Sequence, residues 1–164
     1  MKGNVVSVSQ ESDSFVLKTV KGNTITIETD IDTPIRKGAR IIKVGDLEKG
    51  DTILSAKGIF DYGSYTMSAA AITVFQDKSV FKPRNFEGVL KNISGRELPT
   101  TLLVAVNGKD YTVYLGSKAE ILNKNRKPIG LIRFVAGDIV RFYGAVRESD
   151  LSAVDAEVLR DMNI

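Results

Sequence analysis

Lys21-Gly22-Asn23-Thr24-Ile25-Thr26-Ile27 is a turn feeding a strand, and 86 residues later Asn107-Gly108-Lys109-Asp110-Tyr111-Thr112-Val113 makes the same arrangement again. Glycine supplies the positive φ that a tight hairpin turn needs. Thr24 to Ile27 then alternates polar and apolar residues with a period of two, the mark of a half-buried strand. Outward from these turns, Gly3, Gly22, Gly50 and Gly58 recur as Gly88, Gly108, Gly137 and Gly144, at shifts of 85, 86, 87 and 86 residues. Gly50-Asp51 matches Gly137-Asp138, and Ser68-Ala69 matches Ser152-Ala153 at a shift of 84. Solenoid repeats run at roughly 20–50 residues, so a repeat of this length is a whole small domain. The expected organisation is one domain over 1–76 and another over 85–164. A polar linker, 77–84, lies between them and carries Lys78, Lys82, Pro83 and Arg84. Pro83 cannot donate to a ladder, which suits a boundary. Domains this small bury only about 60% of their unfolded surface, so the halves are expected to pack on each other or on a second chain.

Each half reads as five short strands. In the first they fall at 3–9, 15–20, 24–27, 51–60 and 65–75. In the second they fall near 86–93, 101–106, 110–115, 138–147 and 151–160. The gap between the third and fourth strands reads as loop in both halves: it holds Pro34, Gly38 and Gly45 in the first, and a connector over 116–131 in the second. Neither half shows a sustained helical period. Five short strands in an open sheet leave a naked face and two edges, and closure into a barrel removes both. The expected fold class is therefore all-β, two tandem five-stranded OB-like barrels related by internal duplication. SH3-like barrels or small sandwiches are the alternatives.

Gly3-Asn4-Val5-Val6-Ser7-Val8-Ser9 and Gly88-Val89-Leu90-Lys91-Asn92-Ile93-Ser94 open the two copies. Gly22, Val44-Gly45-Asp46-Leu47, Gly50-Asp51, Gly58 and Ala71-Ile72 follow in the first. Gly108, Val135-Ala136-Gly137-Asp138, Gly144 and Ala156-Glu157-Val158 follow in the second, before the exit Leu159-Arg160-Asp161-Met162. This pattern resembles the bacterial domain-of-unknown-function family 5666, a family of small OB-like barrels, over nearly the whole chain. The resemblance implies a non-enzymatic tandem barrel, often exported or attached to the cell surface. It brings no catalytic residues with it.

Zero Cys and zero His exclude disulfides, Ser–His–Asp and Cys–His nucleophilic sites, and metal sites built on imidazole or thiolate. No cofactor or metal site is expected. No apolar run reaches the ~18 residues that span a bilayer, so no membrane insertion is expected. No signal-peptide h-region is legible ahead of Gly3. The net charge of +3 is shared, with residues 1–82 at +1 and residues 83–164 at +2, where a nucleic-acid domain usually clusters its cations.

Three groups of residues carry candidate chemistry. Glu28, Asp30 and Asp32 alternate at the end of the third strand, spaced for paired carboxylates or weak calcium binding, and are read as a solvated strand end. Basic residues occupy the third-to-fourth connector: Arg36, Lys37, Arg40 and Lys43 in the first copy, and Lys118, Lys124, Arg126, Lys127 and Arg133 in the second. Such loops suit a phosphate backbone or an acidic glycan. Finally, Arg141, Tyr143 and Arg147 alternate against Val140, Phe142, Gly144 and Val146, and are expected to face outward with Tyr114. The candidate ligand-binding set is Tyr114, Lys124, Arg126, Lys127, Arg133, Arg141, Tyr143 and Arg147. The expected partner is a protein or a polyanion, either glycan or nucleic acid. Gly50-Asp51 and Gly137-Asp138 are read as structural: glycine for the bend, aspartate to cap the turn.

Overall fold

The structure, a computed structural model, describes all of residues 1–164. It is all-β, with strands joined by turns and three short 3-10 turns. The chain divides into two compact units, Met1–Asp77 and Lys78–Ile164. The first holds β1 (Gly3–Ser9), β2 (Ser14–Thr19), β3 (Thr24–Glu28), β4 (Ile35–Lys37), β5 (Arg40–Ile42), β6 (Thr52–Asp61) and β7 (Thr66–Val74). The second holds β8 (Arg84–Ile93), β9 (Thr100–Val106), β10 (Lys109–Leu122), β11 (Ile139–Arg147) and β12 (Asp150–Asp161).

The second unit is a closed barrel in the order β8-β9-β10-β12-β11 and back to β8. In the first, β3-β2-β1-β6-β7 are neighbours, and β3 also runs parallel to β7 through Thr26–Thr66 and Glu28–Ser68, which closes the same ring. Each unit is thus a five-stranded barrel of one topology. Its third and fifth strands are parallel and all other ring pairs antiparallel. Alternation fills both interiors. Phe15, Leu17, Ile25, Ile27, Ile53 and Ile72 are buried in the first. Leu102, Val104, Val113, Val140, Phe142 and Leu159 are buried in the second.

The third-to-fourth gap is more ordered than its sequence suggests. In the first unit, β4 continues along the β7 edge with Ile35 opposite Ile72, and β5 folds back on it. In the second, β10 runs past residue 116 to Leu122. It pairs with β12 a second time at Glu120–Val158 to Leu122–Arg160, after a register shift beyond Leu115. The connector therefore starts at Asn123. The fifth strand offers a row of backbone groups that need partners, and the chain leaving the third strand supplies them. The linker expected over 77–84 is also ordered: Lys78–Phe81 is a 3-10 turn of the second unit, and Arg84 opens β8.

The repeated Gly-Asp pair builds the same corner twice. Gly50 has φ +96 and Gly137 φ +98, values that favour glycine. The Gly50 N–H donates to the Val5 carbonyl at 2.8 Å, and the Asp51 carbonyl accepts from the Val5 N–H at 2.8 Å. Gly137 and Asp138 make the same two bonds with Leu90, at 2.8 and 2.9 Å. Each aspartate then caps its own turn: Asp51 Oδ2 accepts the Glu48 N–H at 2.9 Å, and Asp138 Oδ2 accepts the Val135 N–H at 2.8 Å. The 3-10 turns before these corners are Val44–Asp46 and Leu131–Arg133, so Val44 corresponds to Leu131 and not to Val135. The final strand is also realigned. Gly58 faces Ala69 and Gly144 faces Ala156, which makes Ala156, not Ala153, the counterpart of Ala69. At Gly58 and Gly144 an added Cβ would press on the backbone carbonyl of Ser68 or Asp155.

Candidate functional site

Outward-facing residues of the second barrel frame an open groove of about 700 Å³. Tyr114 stands mid-strand on β10, between Thr101 of β9 and Asp155 of β12. Arg147, at the end of β11, reaches over it with Cζ 3.9 Å from the ring centroid, within cation–π range. The same guanidinium is clamped by Asp155, with Nε–Oδ2 at 2.9 Å and Nη2–Oδ1 at 2.8 Å. The Asp155 hydrogen bond is the main cause raising the Arg147 pKa. Pro99, Thr101, Ala145 and the exposed Glu157 line the walls. The result is a preset platform of ring, cation and carboxylate whose formal charges cancel.

The alternation expected on β11 is present: Val140, Phe142 and Val146 are buried, while Arg141, Tyr143 and Arg147 face out. The free cationic face expected there is not. Arg141 pairs with Glu87 at 2.7 Å, and Arg147 with Asp155. Antiparallel pairing sets Arg141 beside β8, where Glu87 is its direct neighbour. The structure thus joins Tyr114 with Arg147 and leaves Tyr143 exposed and outside that cluster. Lys124, Arg126 and Lys127 sit together on the turn after β10, all exposed. Asn123 Oδ1 fixes that turn by accepting the N–H groups of Asn125 and Lys127. Arg133 is exposed on its 3-10 turn, and Arg126 borders a shallow depression that also contains Glu120. In the first barrel Lys37 pairs with Asp51, and Arg40 bonds Gln76.

The three acids do not share a strand face. β3 ends at Glu28, and Asp30 folds into the following turn. Its Oδ1 accepts the Asp32 N–H at 2.8 Å and the Thr33 hydroxyl at 3.1 Å.

A second recess went unread in the sequence. In the first barrel, the β2–β3 turn and the β6–β7 hairpin border a cleft of about 420 Å³. Phe60, Tyr62 and Tyr65 line one side. Phe60 meets both tyrosines edge-on, at centroid distances of 4.7 and 5.8 Å. Tyr62 is 81% exposed and Tyr65 51%. The only sequence signal was Asp61-Tyr62-Gly63-Ser64, which reads as a turn and hides the clustering of rings around it.

No protein-family model matches this chain, and no curated protein matches it significantly.

Proposed function

We propose that this chain is a non-catalytic pair of OB-like barrels that works as a binding or adhesive module. The ring order, with parallel third and fifth strands around a five-stranded barrel, supports the OB-like assignment. The resemblance to domain-of-unknown-function family 5666 supports the module reading and favours an extracytoplasmic or cell-surface setting. The observation that carries the proposal is the Tyr114–Arg147–Asp155 platform in the groove of the second barrel. It offers an aromatic–guanidinium surface whose clamped pair is charge-compensated, with the unpaired Glu157 carboxylate at the side of the groove. Such a surface takes a neutral or weakly cationic polar ligand, held mainly by contact area and hydrogen bonds.

Salt provides the test. Binding through the platform persists as salt rises, because compensated charges release few counterions. Tyr114→Ala or Asp155→Ala weakens it. Reproducible turnover of the bound ligand, abolished by Glu28→Gln or Asp30→Asn, would overturn the non-catalytic reading.

The three exposed cations of the 124–127 turn favour a second reading, in which the second barrel holds an acidic glycan there. That reading predicts retention on heparin that falls steeply with salt and is lost in the Lys124→Ala, Arg126→Ala, Lys127→Ala variant.

A further inference from the structure

The first-barrel cleft differs in chemistry from the groove of the second barrel. Lys2 and Lys21 line it, and neither takes part in an ion pair. No carboxylate lines it. The nearest acid in sequence, Asp61, spends its oxygens on its own turn, accepting from the Gly63 N–H at 2.8 Å and the Ser64 hydroxyl at 2.9 Å. Tyr62 and Tyr65 present ring surface to solvent beside these ammonium groups. Unpaired cations next to exposed rings call for an anionic ligand that also carries apolar faces.

The rest of the lining narrows the class further. Its uncharged polar groups are the Asn23 amide, the Tyr62 and Tyr65 hydroxyls, and the Thr19 hydroxyl, which accepts the Asn23 N–H at 3.1 Å and keeps its own O–H. The most exposed lining surface is aromatic, with Tyr62 81% and Tyr65 51% exposed, and favours a ligand with planar rings to stack on it. A nucleobase asks only for a ring to stack on, and its phosphate for a cation.

The cleft is also peculiar to one copy. Gly3 corresponds to Gly88 and Gly58 to Gly144. The places of Lys2 and Tyr62 are therefore taken in the second barrel by Glu87 and Glu148. Both replacements remove what a nucleotide needs. We propose that the cleft formed by Lys2, Lys21, Asn23, Phe60, Tyr62 and Tyr65 binds single-stranded nucleic acid, with bases stacked on the tyrosines and phosphates on the lysines.

The test is fluorescence anisotropy of the full chain with a labelled oligothymidine of about ten nucleotides, within the usual site-size range, in about 50 mM salt. Binding should be saturable and weaken with salt. Tyr62→Ala should weaken it about 5- to 150-fold, the usual cost of one stacking ring, while Tyr62→Phe should preserve it. The pair Lys2→Ala, Lys21→Ala should lower the steepness of log K against log salt by about 1.4. Tyr62 is so exposed that its replacement leaves the barrel folded, which circular dichroism checks. The proposal is overturned by no binding at this salt or by an unchanged affinity in Tyr62→Ala. Equal affinity for inorganic polyphosphate, or binding of heparin but not the oligonucleotide, also overturns it.

Discussion

The two Gly-Asp corners differ in one respect, and that difference yields a quantitative prediction. Asp138 caps its turn through one backbone N–H. Asp51 does the same and also binds Lys37 Nζ at 2.9 Å, with the two side chains 19% and 15% exposed. Removing the cap alone, by Asp138→Ala, costs about 1.5 kcal/mol, within the range for hydrogen bonds to charged groups. Asp51→Ala loses the same bond and strands a mostly buried ammonium. Exposed pairs contribute up to about 1 kcal/mol, whereas breaking a buried one costs about 3–5. A pair of intermediate burial adds about 1.5–2, for a total near 3 kcal/mol. In units of this size 1 kcal/mol shifts the melting temperature by about 4–8 °C. Native-state amide exchange, read separately in β2 and β9, measures each barrel within the full chain. Asp51→Ala should lower protection in the first barrel about twice as far, in free energy, as Asp138→Ala lowers it in the second. In a Lys37→Met background, the cost of Asp51→Ala should fall back to about 1.5 kcal/mol. Equal costs for the two aspartates, or no coupling to Lys37, would refute the reasoning.

Two further outcomes follow from the geometry. Gly58→Ala and Gly144→Ala each drive a Cβ into a backbone carbonyl of the neighbouring strand, which has no rotamer to move away. Both should cost about 3 kcal/mol or more in chemical denaturation, and Gly22→Ala, whose Cβ meets no neighbour but whose φ is +89, should cost only the backbone strain of about 1–2 kcal/mol. The Asp61 carboxyl is held below its ordinary 3.8, first by the Gly63 N–H and then by the Ser64 hydroxyl. The Asp150 carboxyl is lowered by the Ser152 hydroxyl and then its N–H. Depressed folded values mean that both turns keep their full contribution above pH 3.8 and lose it as pH falls through the lower folded values. The Gly63 and Ser152 amide resonances should therefore titrate with midpoints below 3.8; midpoints at or above that value would contradict the assignment.

Glycines and alternation were the most legible features of this chain, because each carries a local physical cause. Gly50 and Gly137 are required by backbone conformation, and the alternation of β11 by one buried face. The stretches that were misread lack such local causes. β4 and β5 have three residues each, too few for a period. The far end of β10 is held by the parallel β12 across a register shift, a tertiary contact with no local signature. Ser152-Ala153 mimicked Ser68-Ala69 because two small residues match easily by chance, whereas the close approach at Gly58 and Gly144 marks the true alignment. Outward-facing arginines were legible as positions but not as charges. Whether Arg141 and Arg147 are free depends on Glu87 and Asp155, which lie on neighbouring strands. The first-barrel cleft was missed for the same reason, since its rings and lysines come from elements far apart in sequence.

The central claim is that the two copies share a scaffold and carry different recognition surfaces. Amide chemical-shift mapping of the full chain, titrated with single-stranded oligonucleotide, tests it most directly. Shifts should concentrate at Lys21, Asn23 and Phe60 to Tyr65, and leave the matching Asn107 to Lys109 turn and Val146 to Asp150 unmoved. Equal shifts at matching positions of both barrels would contradict it.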